Sequence, residues 1–148
     1  MLACVAVEWL WHVDEYDQPL GRVRRDRAHA AALRHRSGVV FLVDREGRVY
    51  LTRRASSKRI FPNRYDTSAS FHVAYGESYE LAAERETREE LGFTSPLAWI
   101  GKFSHDDPPE HQFVAVFRMQ YAGEPIRLDA HEATSGSFYS TIEVADIV

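Results

Sequence analysis

A single cysteine, Cys4, is the whole of this chain's thiol chemistry. No intramolecular disulfide can form, and the chain suits a reducing cytoplasm. Positive charge is short as well, since 22 acidic residues against 18 basic ones leave a net charge of −4. That balance argues against a nucleic-acid partner gripped through its phosphates, while leaving a nucleotide open as a substrate. No apolar run approaches the roughly 20 residues that cross a bilayer, so no membrane partner is expected. The opening MLACVAV is apolar, but no basic residues precede it and Glu8 interrupts it. It reads as the start of a strand running to Val13 and not as an export signal.

What is present describes one domain, residues 1–148, with 45% apolar and 27% charged residues and length enough for a real core. Asp14 to Gly21 is a turn by composition. Arg22 to His35 is a basic connection with room for a short helix over its alanines. Gly38 to Val43 is a buried strand, Asp44 to Gly47 a turn, and Val49 to Thr52 the returning strand. Arg53 to Asn63 is a cationic loop, and Tyr65 to Tyr75 a strand and turn. Leu97 to Phe103 and Phe113 to Tyr121 read as strands around a proline-bearing loop, Ser104 to Glu110. A short strand at Ser137 to Ser140 and a short helix from Thr141 end the chain. Strands and helices alternate unevenly with hairpin-like pairs, which predicts an α/β protein with a mixed sheet covered by helices on both faces.

The most informative stretch is Gly76 to Phe93, GESYELAAERETREELGF. Ser78 suits an N-cap, Glu80 the first turn, and Gly92 a left-handed helix end. On that helix Glu86, Glu89 and Glu90 stand at i, i+3 and i+4, so three carboxylates crowd one side. Such crowding calls for a hard divalent cation, and Mg²⁺ takes carboxylate oxygens together with substrate phosphates. Taken alone, the glutamates also fit an ordinary solvated helix, because Glu84 with Arg88 and Arg85 with Glu89 make i, i+4 pairs.

The longer pattern decides between those readings. Glu77, seven residues, Arg85-Glu86, two residues, Glu89-Glu90, one residue, Gly92 and an apolar Phe93 resemble the Nudix box. Seven specified positions at fixed spacing arise by chance in roughly one chain of this length in 10⁵. The resemblance implies the Nudix α/β/α sandwich and a diphosphate-cleaving helix. The box pattern asks for glycine six residues before Glu77, where this chain has Phe71, so the loop expected there should be shaped differently.

A second resemblance covers LTRRASSKRIFPNRYDTSASFHVAYGES. Its T-R-R, S-K, aromatic-Pro and S-x-x-x-H run before G-E-S resemble the Nudix subgroup that includes isopentenyl-diphosphate isomerase. In those isomerases, histidines matching His29, His35 and His72 and a glutamate matching Glu110 hold a metal, which implies a second metal site here. Arg54 and Lys58 match the isomerases' phosphate-binding positions, and cations there are what a diphosphate beside a metal needs. Isomerase chemistry relies on a cysteine and a glutamate where this chain has Ser70 and Gln112. Neither replacement exchanges a proton at useful pH.

Together these readings predict Mg²⁺-dependent hydrolysis of a nucleoside di- or triphosphate, or of another diphosphate linked to a further group, with Mn²⁺ as the alternative ion. Glu86, Glu89 and Glu90 are the expected metal ligands, Glu89 the first choice to activate water, and Arg85 and Glu77 the groups that orient them. An isomerase-like enzyme and a non-catalytic nucleotide-binding module are the alternatives. The small-molecule diphosphate is the expected partner, and the short final helix leaves a face that a second copy could cover in a homodimer.

Overall fold

The computed structural model describes residues 6–148. The part of the first expected strand at residues 1–5, Cys4 included, lies outside the described residues. Strand β1 is Trp9–Val13, so residues 6–8 are not part of it. The turn after it closes at Gln18, four residues on from Asp14. The Asp14 carboxylate accepts bonds from the backbone N–H of Tyr16 and Gln18, both at 2.9 Å. This is the local side-chain-to-backbone bond that makes aspartate a turn former.

The basic stretch beyond is not a plain connection. Pro19–Arg24 is strand β2 and Arg25–Ala30 is helix α1. Val23 is the only buried residue of β2, so the strand carries too little apolar alternation to be recognised. It lies at the edge of the sheet, where a proline at the first residue of a strand is tolerated.

Strand β3, His35–Val43, is the one on which the sheet assembles. Its neighbours are β1, β4 (Val49–Arg54), β6 (Ala69–His72) and β8 (Glu110–Gln120). β3 runs parallel to β8 from His35↔Gln112 to Val43↔Gln120, and the other named pairings are antiparallel. The sheet is therefore mixed, as expected. Strand β5 is Tyr65–Asp66, β7 is Leu97–Asp107 and β9 is Ala133–Tyr139. β7 and β8 run longer than their apolar runs suggest, because their pairing continues through SHDDPPE and leaves only Pro108 and Pro109 to turn.

Adjacent residues of a strand face opposite sides of a sheet. Leu10 packs with Val23 and Ala28 of α1, whereas Trp11 packs against the cluster that includes Ala82, Ala83 and Leu91 of helix α2, Tyr79–Leu91. Helices thus cover both faces, and the α/β/α sandwich is present. A final helix, α3, spans Thr141–Ile147 and buries no residue.

Helix α2 has the expected ends. The Ser78 hydroxyl accepts from the N–H of Leu81 at 3.2 Å, and Gly92 closes the helix at φ 83°. Its buried residues, Ala82, Ala83, Thr87 and Leu91, are mostly small and let the helix lie close to β3 and β6.

Phe71 corrects one expectation. It is not on a loop but in β6, buried, directly across from Gly38 of β3. A Cβ at Gly38 would stand 2.3 Å from the Phe71 ring, so the missing side chain on β3 makes room for the ring. Replacing Gly38 by alanine should therefore cost about 1–3 kcal/mol, the usual price of overpacking. Adding Phe71→Leu should recover part of that loss, a coupling readable in a double-mutant cycle by urea unfolding. Purely additive effects would contradict the packing described.

Candidate functional site

The loop before α2 is fixed first. Gly76 takes φ 95°, the N–H of Glu77 donates to the Ala74 carbonyl at 3.0 Å, and the Trp11 indole donates to the Glu77 carbonyl at 2.9 Å. This aims the Glu77 carboxylate at Arg85. The guanidinium donates through Nε to Glu77 Oε1 at 2.7 Å and through Nη2 to Oε2 at 2.9 Å. Its Nη1 donates to Glu86 Oε1 at 2.7 Å and approaches Glu89 Oε2 at 3.6 Å. One planar fork thus sets two carboxylates and touches a third. The fork holds the Glu77 carboxyl below the ordinary carboxylate range, and its carboxylate partners raise Arg85 further above an already high value.

The three helix glutamates do not share one environment. Glu89 is exposed, at 57% of its side chain, whereas Glu86 is largely covered at 18%. Burial raises the Glu86 carboxyl, with the charges of Glu89 and Glu8 adding to it against Arg85. Glu90 goes furthest. Burial, then the charges of Glu86, Glu132 and Asp66, push it up to about 8, opposed by a long bond from the Ser70 N–H at 3.4 Å. A carboxyl so placed lacks a cation, which is the condition that a divalent metal relieves.

Arg54 and Lys58 both come to this place, yet each already has a partner. Arg54 Nη1 donates to Asp66 Oδ2 at 2.7 Å, and Lys58 Nζ to Glu132 Oε2 at 2.5 Å. Arg54, Asp66, Ser70, Glu90 and Glu132 line one cleft together with Thr52 and others. Asp66 and Glu132 escaped the sequence reading. Asp66 faces Thr52 only through the β4–β5 register, and Glu132 arrives from a segment without any apolar or motif signal.

The second group forms where α1, the first residue of β3, the last of β6 and the start of β8 meet. Ring nitrogens of His29, His35 and His72 all lie within 4.8 Å of one another. His35 uses its Nδ1–H on the Leu33 carbonyl at 2.8 Å, which leaves Nε2 buried with no hydrogen-bond partner among the described residues. His29 Nδ1 lies 2.9 Å from Glu110 Oε1. Burial holds His35 below its ordinary value and His72 well below it, with the Arg25 charge adding to the effect on His72. Neutral imidazoles with a lone pair turned inward are metal-competent ligands. Glu110 belongs to this group and not to the helix carboxylates. Ser70 lies on β6 across from Val39, and the Gln112 amide donates to Glu110 Oε2 at 3.4 Å.

The NUDIX domain family model matches residues 32–146. The chain is a member of the Nudix family. An uncharacterized Nudix hydrolase of Streptomyces coelicolor is 41% identical over 75% of this chain, which spans 63% of that relative's length. A prenyl-diphosphate phosphatase of Methanosarcina mazei is 36% identical over 83% of this chain and 74% of its own. An isopentenyl-diphosphate Delta-isomerase of Serratia proteamaculans is 32% identical over 80% and 69% respectively, in keeping with the isomerase-like subgroup. A crystal structure of a Deinococcus radiodurans protein superposes with a TM-score of 0.81 at 29% identity, covering 94% of this chain and 87% of that one. The Nudix chain therefore has the expected fold. Among the described residues no helix is long and apolar enough to cross a membrane.

The raised Glu90 carboxyl makes a pH prediction for the metal-free protein. Its folded value, about 8, lies above the unfolded carboxylate value, so the folded state holds a proton that the unfolded state has lost. Stability then falls as pH rises toward about 8. His35 and His72 act in the opposite sense, but their effect is complete above about pH 7, where unfolded histidine is already neutral. Between about pH 7 and 8 the melting temperature in chelator should decline, and Glu90→Gln should flatten the decline. A rising or level profile in the parent would contradict the assignment.

Proposed function

We propose that this Nudix enzyme hydrolyses a diphosphate linked to an organic group with the help of Mg²⁺, or Mn²⁺ in its place. The observation that carries the reading is Glu90, largely buried beside Glu86, Asp66 and Glu132, while Arg85 is bonded to Glu77 and Glu86 instead. All four groups are hard oxygen donors of the kind Mg²⁺ selects. Glu86, Glu89 and Glu90 are its ligands in this reading. When bound, the ion supplies charge neutralisation at the phosphate oxygens.

The chain's own residues do the rest. Arg85, fixed by Glu77, holds Glu86 and Glu89 in position. Glu89, the exposed carboxylate, takes the proton of the attacking water as its oxygen bonds to phosphorus and the P–O–P bridge breaks. Arg54 and Lys58 exchange Asp66 and Glu132 for substrate phosphate oxygens. His29, His35, His72 and Glu110 form a second metal site, with Glu110 turning His29 as a carboxylate partner does in metal centres.

The attached group is a nucleoside in the first reading. A prenyl chain is the second, favoured by the similarity to the Methanosarcina mazei phosphatase. Isomerisation is disfavoured because Ser70 and Gln112 supply neither the acid nor the base, and Gln112 spends its amide on Glu110. One domain acting in the cytoplasm, without nucleic-acid or membrane partners, goes with this reading. So does a homodimer in which a second copy covers α3.

Glu89→Gln and Glu90→Gln should each lower turnover at least about 10²-fold with metal in excess, while both variants stay folded. In ¹⁸O-labelled water the label should enter a phosphate-bearing product. Near-parental turnover in either variant refutes the roles given. Deuterium from heavy water appearing on a prenyl carbon, with no phosphate released, overturns hydrolysis altogether.

A further inference from the structure

The loop between β4 and β5 ends in two adjacent apolar side chains that pack into neither core cluster. Ile60 is 48% exposed and Phe61 70%. Phe61 has φ 50°, and a bulky aromatic in the left-handed region directly before a proline is an uncommon conformation. Nothing in the core accounts for it, and strained residues of this kind cluster at ligand-binding places.

The position of the tip follows from its bonds. Arg54 donates through Nε to the Ile60 carbonyl at 3.2 Å while its Nη1 holds Asp66 in the cleft beside Glu90. The base of the loop is tied twice more, by the Asn63 N–H to the Arg54 carbonyl at 3.2 Å and by Lys58 to Glu132. One guanidinium therefore joins the apolar tip to the wall of the carboxylate cleft. A diphosphate gripped by Arg54 would sit on the guanidinium that also holds the Ile60 carbonyl, one residue from Phe61.

We propose that Phe61, seconded by Ile60, is a specificity-determining contact for an apolar or planar group carried on the diphosphate. The inference rests on the diphosphate reading of the cleft given above, and it adds the feature that selects among diphosphates. The chemistry it recognises is an apolar surface, offered either by a hydrocarbon chain or by the face of a nucleobase.

Phe61→Gly is the informative variant, because glycine takes φ 50° without strain and removes only the ring. Binding is measured calorimetrically with Mg²⁺ for three methylene-bridged analogues: a cytidine diphosphate, a geranyl diphosphate and plain methylenediphosphonate. The expected result is a melting temperature equal to the parent's or higher, and about a tenfold or greater loss of affinity for at least one substituted analogue. Plain methylenediphosphonate should bind the variant as it binds the parent. Loss confined to the cytidine analogue identifies a base as occupant, and loss confined to the geranyl analogue a hydrocarbon. Unchanged affinity for both overturns the proposal, as does an equal loss for all three or a parent that binds none. Because affinity is read without turnover, a parent that binds but does not hydrolyse refutes the proposed reaction and leaves the role of Phe61 decided.

Discussion

The structure around the site depends on one guanidinium. Arg85 bonds Glu77 and Glu86 at once and stands beside Glu89, on a helix that would otherwise concentrate like charge. Because the fork is planar, it fixes directions as well as charge, and a lysine would keep the second without the first. The fork in turn depends on Glu77, whose backbone is tied to Ala74 and to the Trp11 indole. Arg85 bonds Glu77 and Glu86, and Glu90 is left at the far end of the carboxylate row, where burial and the charges of Glu86, Glu132 and Asp66 raise its carboxyl.

Two donor sets of different character lie within one small sheet. The helix set is all carboxylate, suited to hard ions that keep water and phosphate oxygens in their shell. The other is three imidazoles and one carboxylate, a set that also accepts borderline ions. β6 lies between them, sending its Ser70 N–H to Glu90 and ending in His72. This four-residue strand touches both sets.

Legibility followed the range of the interactions. The caps of α2, the spacing of its glutamates and the turn at Asp44 are local, and each was readable from neighbouring residues. The candidate site was legible in part for the same reason, since Glu77 to Glu90 is one continuous motif, whereas the grouping of His29, His35, His72 and Glu110 was available only through resemblance. Asp66 and Glu132 could not be seen, because what makes them matter is proximity to Glu90 across the fold. β2 was hidden by its polarity, one buried valine among exposed residues. The far halves of β7 and β8 were hidden because hydrogen-bonded pairing carried them past their apolar runs.

The exchange of volume between Phe71 and Gly38 bears on how relatives of this chain are recognised. The two positions share one volume across the strand pair, so neither can grow unless the other shrinks. A search that insists on glycine at the front of the motif would pass over this chain, although its motif from Glu77 to Phe93 is complete. Where a large residue stands at the Phe71 position, the same packing requires a side chain as small as glycine across from it.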